Sequence, residues 1–234
     1  MLAIYKKELR SYFTTPLGYV FCGVFLAVSG FLMGMTTVYA GTVDVSSFYQ
    51  LMIFACTVLV PVLTMKSFAD ERKMKTEQLL MTSPVSIFSM VLAKFLASYT
   101  VFAASIFAGC IYLLPLSRYG EMNNARTLGC VIAILLIGMC FTAVGIFVSS
   151  LTENTVTAAI GTIALLLVSV CASLFNGVIN SYFIRQILSW ISVYGRYTSF
   201  TYGIFDYSAV LYYVSLTTVF LFLTVRVFDR RRWA

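Results

Sequence analysis

Between positions 70 and 77 six of eight side chains carry charge: Asp70, Glu71, Arg72, Lys73, Lys75 and Glu77. The whole 234-residue chain has only sixteen basic and nine acidic residues, so this is the one place where ionic chemistry could be concentrated. Catalysis is not the chemistry it suggests. The chain has no histidine, which removes HExxH metal sites and Ser/His/Asp triads together. No Gly-Lys pair occurs, so the phosphate-cradling GxxxxGK[ST] loop is absent and the chain is not expected to hydrolyse ATP or to be an enzyme. The six cysteines, Cys22, Cys56, Cys110, Cys130, Cys140 and Cys171, form no CxxC pair. Without histidine they make no zinc site and read as small packing residues, so no metal is expected.

What remains for the charged run is contact. Its signs are mixed and sum to zero from 70 to 77, and the apolar patch Leu79, Leu80 and Met81 follows. Mixed charge beside apolar surface suits a docking face for another protein; the alternative is a solvated connector whose charges enforce topology. Locally, Ser67 with Asp70 has capping-box spacing, and Glu71 with Lys75 is a favourable i,i+4 pair. The pattern predicts a short polar helix over 67–83, stopped at Thr82, Ser83 and Pro84, with Ser83 capping the next helix and Pro84 at its first position.

The elements that hold this run are apolar. Hydrophobic residues make up 60% of the chain and charged ones 11%, with a mean hydropathy of +0.92. Soluble domains carry about 25% charged residues, so the outer surface here must face lipid. A helix needs about 20 apolar residues to cross a hydrocarbon core of about 30 Å. Six segments qualify: 18–39, 48–66, 88–114, 128–150, 155–175 and 208–227. The fold class expected is therefore all-α integral membrane, one domain over 1–234, with no linker, low-complexity tract or visible internal repeat. Lys6, Lys7 and Arg10 precede a first apolar run that is too long for a signal peptide and lacks a small-x-small cleavage site, so it is kept as a span.

Twelve of the sixteen Lys and Arg residues fall at the N-terminus, between spans two and three or (Lys94) just inside the third, and at the C-terminus. The positive-inside rule then puts both termini and the charged run in the cytoplasm. The net charge of +7 is explained the same way, and no nucleic-acid partner is expected. Lys66, Lys94, Asp206 and Arg226 sit near span ends, where long side chains reach the interface. No carboxylate or histidine sits at mid-membrane depth, which argues against a proton-driven carrier.

Three further features bear on function. Residues 1–15 place Leu2, Tyr5, Leu9, Tyr12 and Phe13 on one helical face with Lys6, Lys7 and Arg10 beside or opposite, as in a helix lying in the cytoplasmic interface before Pro16. Gly30 and Gly34 form a GxxxG pair, open to packing within the chain or to a dimer contact. Residues 177–207 are aromatic (Trp190, Tyr194, Tyr197, Phe205 among others) yet too polar for a span, which suits short helices dipping into the outer leaflet; the alternative is an ordinary aromatic belt. The turn at Ser150, Leu151, Thr152 and Glu153 has capping-box spacing for the fifth span.

Glu71 and Arg72, Thr76, Leu79 and Leu80, the run Thr82-Ser83-Pro84-Val85-Ser86 and Lys94 together resemble the signature "ER…T…LL.TSPVS…K" of ABC-2-type exporter permeases. The closing run from Tyr202 and Gly203 through Asp206, Leu211 and Tyr212 to Arg226 and Arg230-Arg231-Arg232-Trp233 is similar to the gliding-motility subgroup. Lys75 stands where that family often has Gly, and Gln78 where it often has Glu. The resemblance implies a bacterial cytoplasmic-membrane permease that exports substrate with energy from a separate ATP-binding subunit. Two permeases, identical or different, would pair with two such subunits, with a further extracellular-facing subunit as a possible addition. ATP and Mg would sit in the partner, with no cofactor held here. Segment 67–83 would be the coupling helix, with Glu71, Arg72, Thr76, Glu77, Leu79, Leu80, Thr82 and Pro84 at the ATPase, and the turn 150–153 beside it. Residues 1–16 would be the interface helix, and 177–207 external re-entrant helices in which Trp190, Tyr194, Tyr197 and Phe205 gate the outer end. Competing readings are a carrier or channel working alone and a membrane anchor with no substrate path. Apolar and aromatic spans with scattered Ser and Thr would tolerate an amphipathic, lipid-like cargo.

Overall fold

Pro16 makes the first joint of the chain. A residue before proline is pushed out of the helical region, and Thr15 is extended, with φ −88° and ψ 151°. It separates α1 (Leu2–Thr14) from α2 (Pro16–Met33), where Pro16 occupies the first turn, a position that needs no amide donor. The computed structural model describes residues 1–41, 44–74, 86–116, 123–175, 186, 192–203 and 205–233. α2 ends in a π-helical turn, Gly34–Val38. It is followed by α3 (Ser46–Thr64), α4 (Lys66–Lys73), α5 (Ile87–Gly109), a 3₁₀ turn (Cys110–Tyr112) and α6 (Leu113–Leu116). Then come α7 (Asn124–Leu151), α8 (Thr155–Phe175), a 3₁₀ turn (Tyr194–Arg196), α9 (Thr198–Thr201) and α10 (Tyr207–Trp233).

Among the described residues six stretches are long and apolar enough to cross a membrane: Pro16–Val38, Ser46–Lys73, Ile87–Leu116, Asn124–Leu151, Thr155–Ser173 and Tyr207–Arg231. They match the six expected spans, mostly to within a few residues; the second runs past its expected end because α4 follows α3 after a break of one residue, Met65. No strand occurs among the described residues. Helices suit a bilayer because each satisfies its own backbone polar groups where water is missing.

α7 is the central helix and the most buried of the six spans. At 28 residues it is about 42 Å long, so it outreaches the hydrocarbon core. Two glycines let neighbours press onto it. A Cβ on Gly138 would lie 1.9 Å from Cε1 of Phe102 on α5, and one on Gly145 would lie 2.1 Å from Oγ1 of Thr64 on α3. Ile134, Ile137 and Phe141 of the same helix are fully buried. The outward faces of α2, α8 and α10 expose Phe31, Ile160, Val168, Leu211 and Phe222, as a lipid-facing surface should.

α1 lies against α5. Tyr5, Leu9 and Tyr12 turn inward, whereas Leu2 and Phe13 of the expected apolar face remain exposed. The Tyr5 hydroxyl donates to Thr100 Oγ1 at 3.4 Å and that of Tyr12 to the Leu63 carbonyl at 3.3 Å. Burial, with a contribution from Glu8, raises the Tyr12 phenol far above its ordinary range, so it remains a donor. Contacts bring α1, α4, the start of α5, and the ends of α7 and α10 together at one end of the bundle. That end, which carries both termini, is called basal below, and the opposite end distal.

Candidate functional site

The basal end is built around Lys94. It is the eighth residue of α5, in a segment otherwise rich in Ala, Phe and Leu, and its side chain is only 2% exposed. It was expected to reach the interface; instead the ammonium turns inward and is held by three helices. Nζ donates to Oε1 of Glu71 on α4 at 2.8 Å, to Oε1 of Glu8 on α1 at 3.2 Å and to the Ser67 carbonyl at 2.7 Å. It also stands 4.9 Å from the centre of the Phe68 ring, a favourable cation–π distance. Phe68 in turn packs on Phe228 of α10, ring centres 4.7 Å apart. A charge this deep persists only when paired and hydrogen-bonded, and here all three donor hydrogens are used.

Ser149 on α7 performs a second task at this end. Its hydroxyl accepts from the amides of Phe68 and Ala69, at 3.1 and 3.2 Å, and donates to the Met65 carbonyl at 3.0 Å. The break between α3 and α4 exposes backbone groups that a continuous helix would satisfy, and a buried hydroxyl from another helix satisfies them. The expected Ser67/Asp70 capping box does not form, because Ser67 already lies inside α4, which has no side-chain cap of its own. Arg72, the next residue of the charged run, reaches α7 from the surface. Its guanidinium bonds the Leu151 carbonyl at 3.0 Å and Glu153 at 2.8 Å. Both partners are partly exposed, so the pair contributes under about 1 kcal/mol and acts as a positional contact. Arg231 of α10 donates to the Ser150 carbonyl at 2.7 Å. The fifth span is capped by Asn154, whose Oδ1 accepts from the Val156 amide at 3.0 Å, and not by Ser150, whose hydroxyl bonds the Phe147 carbonyl. Likewise the described start of α5 is capped by Ser86, which accepts from the Ser89 amide.

The sequence-derived residues thus divide. Glu71 and Arg72 are brought into the junction, with Glu71 facing the protein interior. Thr76, Glu77, Leu79, Leu80, Thr82 and Pro84, with Lys75 and Ser83, lie outside the described residues, as does Trp190. The helix expected over 67–83 is described as Lys66–Lys73. Lys6, Lys7 and Arg10 are exposed on α1. A Cβ on Gly30 would meet the Tyr112 hydroxyl at 3.4 Å within the chain, while Gly34 faces open space. Glu8, Ser149 and the buried state of Lys94 were missed. The signal for Glu8 was its isolation as the sole acidic residue among the first 43.

At the distal end Tyr194 and Tyr197 pack into the bundle, and Phe205 is half exposed. Tyr197 is 1% exposed. Its hydroxyl donates to the Ser46 carbonyl at 3.4 Å and contacts Cys130 Sγ at 3.6 Å, tying the segment before α10 to α3 and α7. Tyr194 bonds Gln50, and the Tyr213 hydroxyl donates to the Val193 carbonyl at 2.8 Å. Gly203 has φ +74° beside the Arg126 backbone, a left-handed turn that glycine adopts without strain. Asp44 pairs with Arg126 at 3.2 Å and accepts from the Ser46 amide at 3.0 Å. Desolvation pushes the Asp44 carboxyl up, but the bonds from Ser46 and Arg126 outweigh it and hold it below its ordinary value. A depressed carboxyl contributes stability above its unfolded pKa and loses it as pH falls through the folded value. Hydrogen exchange at residues 44–50 is therefore expected to speed up on acidification below the normal carboxylate range, and Asp44→Asn should abolish that dependence.

Six apolar helices among the described residues, one of them buried at the centre, define a multi-pass α-helical membrane protein. The family model for ABC-2 family transporter proteins matches residues 2–233, and the chain belongs to that family. It is accordingly the permease subunit of an ABC transporter, the transmembrane component and not the ATPase. No individually curated protein matches the chain.

Proposed function

We propose that the chain is the membrane subunit of an ATP-driven exporter of the gliding-motility-like subgroup, set in a bacterial cytoplasmic membrane with its basal end in the cytoplasm. A second permease and two ATP-binding subunits complete the assembly, and ATP and Mg stay in those partners. One observation carries this reading: α4, which leads into the charge-dense stretch, is bound to α1 and α5 through Lys94 and to α7 through Arg72 and Ser149. Nothing in the chain can harvest ATP, so energy must enter through a contact. A helix tied to three others beside an apolar, doubly charged segment is suited to receive it.

In this reading α1 is the interface helix and segment 177–207, with Tyr194, Tyr197 and Phe205 among its described residues, is the external gate. The roles on the coupling segment separate. Thr76, Glu77, Leu79, Leu80, Thr82 and Pro84 form the face presented to the ATPase. Glu71 and Arg72 transmit its displacement, through Lys94 and through the 150–153 turn. The test is Leu79→Ala with Leu80→Ala, followed by purification from the native membrane. Recovery of the ATP-binding subunit is expected to fall at least tenfold while the amount of permease is unchanged. Normal assembly and transport by that double variant would overturn the docking role.

A further inference from the structure

Between α1 and α4 lies a cavity of about 580 Å³, lined by Lys7, Glu8, Ser11, Tyr12, Thr15, Leu17, Lys66, Ser67, Asp70, Glu71, Met74 and Lys94. From its lining we propose that this cavity binds the phosphoethanolamine headgroup of a membrane phospholipid. Depth, charge and hydrogen bonding each support the assignment.

The cavity sits where the first span begins at Pro16 and the second ends in α4, which is headgroup depth rather than hydrocarbon depth. Below it the face of α2 carries exposed Tyr19, Val20 and Val24, a surface along which acyl chains can lie. The lining is zwitterionic, with three basic and three acidic side chains, and neither sign dominates. A purely anionic headgroup would meet three carboxylates, and a purely cationic ligand three ammonium groups. A ligand carrying one of each is complementary.

The lining keeps polar atoms that the fold does not saturate. Glu8 is 14% exposed and holds Lys94 through Oε1 alone; among the described residues no donor reaches its Oε2. Among the described residues the side chains of Lys66 and Asp70 make no hydrogen bond or ion pair, and Lys7 acts on Glu71 through its charge alone. A primary ammonium entering the cavity finds Glu8 Oε2 and the Asp70 carboxylate. The phosphate then lies toward Lys7 and Lys66, the exposed pair at the rim. Charge-assisted hydrogen bonds of this kind are about twice as strong as neutral ones. Because they require N–H donors, a trimethylated headgroup of the same charge cannot replace the amine.

The purified, delipidated permease is titrated with phosphatidylethanolamine, phosphatidylcholine and phosphatidylglycerol of identical acyl chains, and bound lipid is read by native mass spectrometry. Phosphatidylethanolamine is expected to bind at least tenfold more tightly than either other lipid. The double variant Asp70→Asn, Lys66→Gln should remove that preference, and both positions are exposed enough to leave the fold intact; Glu8→Gln should weaken the ethanolamine lipid selectively. Equal binding of the ethanolamine and choline lipids, or an unchanged preference in the double variant, would overturn the proposal. Free O-phosphoethanolamine is added as competitor; displacement of the lipid at equimolar concentration would overturn the lipid assignment in favour of a soluble amino-phosphate.

Discussion

Lys94→Met is expected to destabilise the permease by about 3–5 kcal/mol, the usual cost of removing one partner from a buried ion pair. The reason lies in what remains. Glu8 and Glu71 are 14% and 16% exposed and both bonded to the same Nζ; without it two carboxylates face each other with little water between them. The measurement is the thermal midpoint and the yield of monodisperse protein in mild detergent. The informative comparison is the triple variant Lys94→Met, Glu8→Gln, Glu71→Gln, in which no buried charge is left. Replacing a whole buried ionic group by neutral residues of similar volume is commonly tolerated. The triple variant should therefore recover most of the lost stability. If the junction transmits motion, it should bind the ATP-binding subunit normally and transport poorly. Full transport by the triple variant would show that the ions only hold the helices together.

The second large effect is expected at Gly138. An alanine there puts a methyl carbon 1.9 Å from the Phe102 ring, whose side chain is fully buried. The ring is packed edge-on against Phe25, centres 6.1 Å apart at 84°, and beside Tyr99, so it has nowhere to retreat. Overpacking of this kind costs about 1–3 kcal/mol. Gly138→Ala should lower the thermal midpoint, and adding Phe102→Leu should restore part of it. Additive losses in the double variant would mean that the contact is not the cause. Gly34→Ala, with open space around its Cβ, is the matched control and should be neutral.

The number of spans and their approximate limits were legible because hydrocarbon thickness imposes a minimum length on apolar runs, a constraint that acts on sequence directly. Pro16 was legible for a similar reason, its backbone geometry being local. Caps were misassigned where tertiary contact overrides local spacing: Ser67 and Asp70 have the right separation, but the helix they were to begin had already started. Lys94 shows the larger gap. Its position near a span end is compatible with reaching the interface or turning inward, and the choice depends on Glu8 from a helix 86 residues away in sequence. Nothing in the local pattern encodes that pairing. Ser149 is a harder case still, since one serine among several in an apolar helix carries no mark of the two amides and one carbonyl it serves.

Ser149 also determines how a force could travel. Because one hydroxyl bonds the Met65 carbonyl at the break and the Phe68 and Ala69 amides just beyond it, the start of α4 is splinted to α7. A tug on the stub of α4 would be delivered as torque on a rod about 42 Å long, whose distal end carries Cys130 against Tyr197 and Arg126 against Asp44. The molecule would then work less like a gate on a pivot than like a crankshaft, with one axle linking its two faces.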